Sequence, residues 1–295
     1  MGAGRRVVTF GLLCLLVVGG WALAACGAGS GRASLRPTLR LPFWQSTAVQ
    51  GVDVTRRLTV PSGFGSAGRP FFLHSRRSAT SPEPLVLLLH GLYQRPSTVE
   101  DATAAASFSD ANGFTLVYPV GTHEAWNAGG CCRHDTANDV GYLVDLVHYV
   151  ATLTPVDLHR VYIWGFSNGG MMAWRAVCQT RGVFAGAGVV AGALLVPCPA
   201  PVHVVDLHGA ADHTVPFFGG YSTYTRTVFP DSANERRRLA PGSTLQVVLL
   251  KDLGHRWPPL RAGSVDALDV LWNGLRGYRV THPAAVSAPF GGTEG

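Results

Sequence analysis

Three side chains stand at positions where they could carry out acyl transfer together: a serine, an acid and a histidine, each in its own short loop. Gly165-Phe166-Ser167-Asn168-Gly169 fits the pattern G-x-S-x-G, in which the serine occupies a tight turn between a strand and a helix. With 36 glycines in the chain, the pattern alone is a weak signal. Its flanks strengthen it. Residues 160–164 read as a buried strand before it, and 169–178 as a helix after it. Such an elbow would hold Ser167 near a helix N-terminus, where the dipole favours developing negative charge. The plainer alternative is a glycine-rich turn that Ser167 merely caps.

His208-Gly209-Ala210-Ala211-Asp212 follows an apolar run at 202–207. An acid in that loop can reach the back of an imidazole and fix its tautomer. Asp206 is the rival acid. It lies inside the apolar run, so its carboxylate is expected to point into a helix interface, and Asp212 is preferred. Gly254-His255-Arg256-Trp257-Pro258 follows another run at 245–250. Eleven histidines make any one of them suspect. What singles out His255 is order: serine, acid and histidine each follow a separate strand. His123, His134, His148, His159, His203 and His213 do not meet both position and order. His90-Gly91-Leu92 closes the run 85–89. The backbone N–H groups of Leu92 and Asn168 are the candidate oxyanion donors, each typically worth about 2.7–4 kcal/mol. His90 is expected to hold that loop rather than carry a proton. Trp126 and Trp257 flank the site loops and are the substrate-binding candidates, with core packing the equal alternative.

These loops need a frame that brings them to one rim. Residues 57–60 and 70–74 read as an opening antiparallel pair, and 84–89 as a strand buried on both faces. A helix is expected over 98–111, with Ser97 and Thr98 as caps and Glu100 and Asp101 in its first turn. A strand follows at 114–118 and an amphipathic helix at 138–153. Further strands are expected at 186–190, 202–207 and 245–250, and a closing helix at 265–275. Strands alternating with helices predict an α/β fold with a mostly parallel central sheet and helices on both faces. In such sheets ligands sit at the carboxyl ends of the strands, and every motif above follows a strand. No internal repeat is seen.

The chain has 295 residues, 47% of them hydrophobic and 14% charged, which suits one substantial core and excludes disorder throughout. The net charge is +6, but Lys251 is the one lysine and the arginines are scattered, so no nucleic-acid partner is expected. Arg5 and Arg6 precede an apolar stretch at 7–23 that ends in Leu23-Ala24-Ala25-Cys26. Residues 1–25 therefore read as a signal peptide, with Cys26 resembling the lipidated cysteine of a bacterial lipobox. An uncleaved anchor helix is the weaker reading, because the apolar run is short and glycine-broken. The expected organisation is a flexible tether at 26–50, a catalytic domain at 51–280 and a flexible tail at 281–295. The folded part would lie outside the cytoplasm, lipid-anchored to a membrane or released. Cys178 and Cys198 are a reasonable disulfide pair in an oxidising compartment. For the adjacent Cys131 and Cys132, free thiols and cross-pairing stay open. No metal or organic cofactor is implied, since no spaced His/Cys cluster accompanies them.

Taken jointly, the segments His90-Gly91-Leu92-Tyr93-Gln94, Trp126 to Cys132, Gly165 to Met171, His208 to Phe217 and Gly254 to Pro258 resemble the polyhydroxybutyrate-depolymerase and feruloyl-esterase branch of the α/β-hydrolases. Within it the likeness is strongest to the lipobox-bearing Lpq-type lipoprotein esterases of mycobacteria. It spans about residues 57–278. The resemblance implies the α/β-hydrolase fold, Ser167, Asp212 and His255 as a triad, and an extracellular ester substrate, polymeric or linked to polysaccharide. Two departures stand out. Many relatives carry cysteine where this chain has Leu92, and glycine where it has Arg133. They bear on loop rigidity and substrate preference. Three methionines and no long insertion between strands argue against a large lid and against an interfacial lipase. A catalytically idle carbohydrate-binding surface lipoprotein and a thioester- or peptide-cleaving hydrolase are the alternatives from other classes.

Overall fold

Leu85 to Leu89 shows most directly why this chain builds a two-sided sheet: five consecutive apolar residues, none of them exposed. A strand alternates its side chains, so an unbroken apolar run needs cover on both faces. The computed structural model describes residues 54–76, 79–132, 136–259 and 265–285, all within the compact unit Leu41–Gly295. Positions 1–53, which hold the expected signal segment, Cys26 and tether, lie outside the described residues, as does most of the expected tail.

In chain order the strands are β1 (Val54–Thr59), β2 (Pro70–Ser75), β3 (Glu83–Leu89), β4 (Thr115–Pro119), β5 (Val156–Phe166), β6 (Gly186–Val190), β7 (His203–Gly209), β8 (Gly220–Ser222), β9 (Thr227–Phe229) and β10 (Thr244–Leu250). The helices are α1 (Pro96–Thr103), α2 (Ala105–Asn112), α3 (Asp139–Leu153), α4 (Asn168–Gln179) and α5 (Ala267–Leu275). Eight strands form one sheet in the order β1-β2-β4-β3-β5-β6-β7-β10. The pairs β1–β2 and β2–β4 are antiparallel and the rest parallel. This is the expected α/β architecture.

The two faces separate by residue parity. Leu85, Leu87, Val161 and Ile163 pack with Leu143 and Leu146 of α3 and Met172 of α4. Val86, Leu88, Tyr162 and Trp164 pack with Val99 of α1 and with Leu268, Leu271 and Trp272 of α5. At about 25 cal/mol per Å² of apolar surface, these two layers supply the main driving force for folding.

The expected helix over 98–111 is two helices. Ala104 takes φ 53°, ψ 36°, ending α1 and opening α2. The first helix starts earlier than expected, with Pro96 at its first position and Arg95 as the cap residue, so Ser97 and Thr98 lie inside it and its first turn holds no acid. A proline at that position costs no hydrogen bond. The stretch at 210–243 also holds more structure than expected. It carries the β8–β9 hairpin, with Tyr221, Tyr224 and Val228 exposed. Both cysteine pairs are closed as disulfides, Cys178–Cys198 and the adjacent Cys131–Cys132.

Candidate active site

The loops after β5, β7 and β10 converge at one rim of the sheet. Ser167 sits between β5 and α4 at φ 55°, ψ −120°, a backbone state unfavourable for a residue with a side chain and common at catalytic turns. The bend depends on two glycines. A Cβ on Gly165 would stand 2.3 Å from the Gly169 carbonyl oxygen, and one on Gly169 would stand 2.4 Å from that of His90. The Ser167 N–H donates to Val190 O at 2.8 Å, tying the elbow to β6.

Parallel pairing of β7 with β10 brings the other two loops together. The Ala210 and Ala211 N–H groups donate to Leu250 O and Leu253 O at 2.9 and 3.0 Å. The Ser167 Oγ stands 2.8 Å from His255 Nε2, and His255 Nδ1 stands 2.7 Å from Asp212 Oδ2. The other carboxylate oxygen, Oδ1, accepts the N–H groups of Thr214 and Val215, both at 2.8 Å. Burial would raise the Asp212 pKa. The imidazoles of His208 and His255 and the Val215 N–H outweigh it and hold the carboxyl well below the usual carboxylate range. An ionised Asp212 accepts, so His255 Nδ1 carries the proton and Nε2 is left as acceptor for the serine hydroxyl.

The loop after β3 starts against the elbow, where a Cβ on Gly169 would meet the carbonyl oxygens of Leu89 and His90. Gly91 N–H donates to Gln94 Oε1 at 2.9 Å, Tyr93 N–H to Glu124 O at 2.8 Å and Gln94 N–H to Gly91 O at 3.2 Å. Among the described residues, the Leu92 N–H of this turn has no partner in the chain. Asn168 N–H, at the first position of α4, has none within its helix. His90 is fully buried, and burial pulls its pKa down to about 4. Its neutral ring donates from Nδ1 to Gly91 O at 2.8 Å and accepts the Gly121 N–H at 3.0 Å. It braces the loop, as expected.

The two tryptophans separate. Trp257 lines a cavity of about 250 Å³ together with His255, Phe166 and Val99. Trp126 is fully buried, with its indole N–H on His90 O at 2.8 Å. It offers no face to a ligand, which corrects the expectation of substrate contact: it packs behind the loop that follows β3. Its backbone N–H also donates to Asn168 Oδ1 at 2.7 Å, and Asn168 Nδ2 returns a bond to Trp126 O at 3.1 Å. That reciprocal clamp fixes Asn168, one of the two candidate oxyanion donors.

One group was not foreseen. His208 is fully buried behind the site, its Nε2 donating to Val215 O at 2.8 Å and lying 3.6 Å from Asp212 Oδ2. Its Nδ1 lies 3.8 Å from Asp206 Oδ1. The Asp206 carboxylate therefore faces an imidazole two residues along the same strand face, not the expected helix interface. The signal was present: two polar residues at i and i+2 in an otherwise apolar strand. Burial opposes protonation of His208, yet Asp206, Asp212 and the Val215 carbonyl raise its pKa to about 10. Glu235, also fully buried, accepts from the Leu194 N–H at 2.8 Å and the Ser232 hydroxyl at 2.9 Å. Burial first, and then the charge of Asp206, push its pKa up to about 7.

A carboxyl whose pKa is higher in the folded state stabilises the fold below its unfolded pKa, and the contribution is lost as pH rises. For Glu235 the window runs from 4.5 to about 7. Glu235→Gln keeps an acceptor oxygen for Leu194 and Ser232 but cannot ionise. Thermal melts of this variant should lose less stability than wild type between those pH values, by an amount on the order of 1–3 kcal/mol. Parallel curves would contradict the assignment.

The fold is that of the α/β-hydrolases. By sequence the chain is similar to polyhydroxybutyrate depolymerases and feruloyl esterases: residues 72–216 match the family model described as Esterase PHB depolymerase. The chain is 36% identical over 163 residues to the esterase-named NocK of Nocardia uniformis subsp. tsuyamanensis, covering 51% of this chain and 47% of the relative. It is 29% identical over 201 residues to a poly(3-hydroxybutyrate) depolymerase of Ralstonia pickettii, covering 64% and 38%. The chain thus spans less than half the length of these two relatives. Among solved structures, an S-formylglutathione hydrolase from Agrobacterium tumefaciens superposes with TM-score 0.54 at 14% identity, over 72% of this chain and 91% of that one, a likeness of fold alone.

Proposed function

We propose that this chain is an exported serine esterase that hydrolyses carboxylic esters through an acyl-enzyme. The observation that carries the reading is the unbroken hydrogen-bonded series from Ser167 Oγ through His255 to Asp212, at 2.8 and 2.7 Å. Ser167 attacks the ester carbonyl while His255 Nε2 takes its proton. Asp212 orients the ring and stabilises the imidazolium. The Leu92 and Asn168 N–H groups hold the oxyanion, and His255 then protonates the leaving alcohol. Water repeats the sequence on the acyl-enzyme. The named relatives, including a poly(3-hydroxybutyrate) depolymerase and a feruloyl esterase B of Piromyces equi, support an ester that is polymeric or linked to polysaccharide.

Lipid on Cys26 would hold the enzyme on a membrane surface, at about 0.8 kcal/mol per buried CH₂. Among the described residues no helix is long and apolar enough to cross a membrane. One preparation tests both parts. The full chain should partition with membranes and hydrolyse p-nitrophenyl acetate or butyrate, while Cys26→Ala should become soluble and stay active. An inactive wild type that still binds polysaccharide would favour the idle surface lipoprotein. A Cys26→Ala chain that remains membrane-bound would remove the lipid anchor.

A further inference from the structure

Gln94 belongs to two cavities. It lines the 250 Å³ space beside His255, and it also lines a second one of about 540 Å³. Through its Oε1 it holds the Gly91 N–H of the candidate oxyanion loop at 2.9 Å, so one side chain is shared by both cavities and that loop. The walls of this second cavity are apolar, built from Pro70, Phe72, Pro96 and Val120. Its rim is charged. Arg95 Nε donates to Glu124 Oε1 at 2.6 Å, so those two charges compensate one another. Arg57, exposed on β1, also borders the cavity and forms no ion pair among the described residues. Two arginines and one glutamate leave one net positive charge at the mouth of an apolar chamber.

A neutral ligand would leave that guanidinium without a counter-charge, and a compact anion would gain nothing from the apolar walls. The chemistry that satisfies both is an apolar spacer ending in a carboxylate, which a guanidinium binds through paired N–H donors. We propose that this second cavity receives the remote part of an ester substrate whose far end carries a free carboxylate, with Arg57 as the residue that selects it. The inference rests on the esterase reading of the Ser167 site.

The test uses the full chain and three esters: p-nitrophenyl butyrate as reference, the 3-hydroxybutyrate trimer as its free acid, and the same trimer as its methyl ester. Wild type should show a higher kcat/KM for the acid than for the methyl ester by roughly three- to fivefold, through KM. Arg57→Gln should bring that ratio close to one, and raised salt should shrink it in wild type. Equal rates on the two trimers in wild type, or a preference that survives Arg57→Gln, would overturn the inference while leaving the esterase intact. Failure of wild type to hydrolyse even p-nitrophenyl butyrate would remove the esterase reading, and this inference with it.

Discussion

Ser167→Ala is expected to lower kcat/KM for p-nitrophenyl butyrate by about 10⁴- to 10⁶-fold, with little change in thermal stability. The size of the effect follows from what is removed. The hydroxyl is the one group that His255 Nε2 meets at 2.8 Å on the reacting side, and alanine has no atom to form the acyl bond. A loss of that size corresponds to about 5–8 kcal/mol of transition-state stabilisation. The fold should tolerate the change. The bend at Ser167 is held by its backbone bond to Val190 and by the glycines at 165 and 169, none of which involves the hydroxyl. Residual turnover within tenfold of wild type would place the nucleophile elsewhere.

Asp212→Asn is expected to be nearly as damaging, with kcat falling about 10⁴-fold while KM changes little. The substitution is isosteric. With its carbonyl oxygen at the Oδ1 position it still accepts the N–H groups of Thr214 and Val215, each at 2.8 Å in the wild-type chain. What changes is the atom facing His255. An amide NH₂ there donates, so His255 Nδ1 must accept, and its proton moves to Nε2, where it can no longer take one from Ser167. His208 stands 3.6 Å from the same carboxylate oxygen and cannot substitute for it, because its Nε2 is already given to Val215 O. A variant with kcat close to wild type would show that the acid is not Asp212, and Asp206 would be the next candidate.

Much of the fold could be read from the chain because the central strands are buried on both faces. Uninterrupted apolar runs such as 85–89 and 161–164 leave little choice of conformation. The Ser167 elbow follows such a strand. The Asp212 loop follows β7, buried but interrupted by Asp206, and the His255 loop follows β10, a half-exposed edge strand whose apolar run still marks it. What pattern could not supply was non-local. Ala104 carries no turn signature, and its left-handed backbone splits α1 from α2 through context alone. The β8–β9 strands are three residues each, too short for a period to show. Trp126 lies between glycine-rich loops, which suggests exposure, yet the Asn168 clamp and the His90 carbonyl draw it fully inside. His208 was passed over because a histidine at the end of a strand reads as a loop residue. Its partnership with Asp206 depends on both side chains sharing one face behind the site.

The most direct measurement is active-site labelling. Full-length protein is treated with a fluorophosphonate, digested, and mapped by mass spectrometry, with Ser167→Ala alongside. One phosphonyl adduct on the peptide bearing Ser167, absent from the alanine variant and suppressed in Asp212→Asn, is the predicted result. An unlabelled wild-type chain, or an adduct that persists on another residue when Ser167 is gone, would contradict a hydroxyl nucleophile at this elbow.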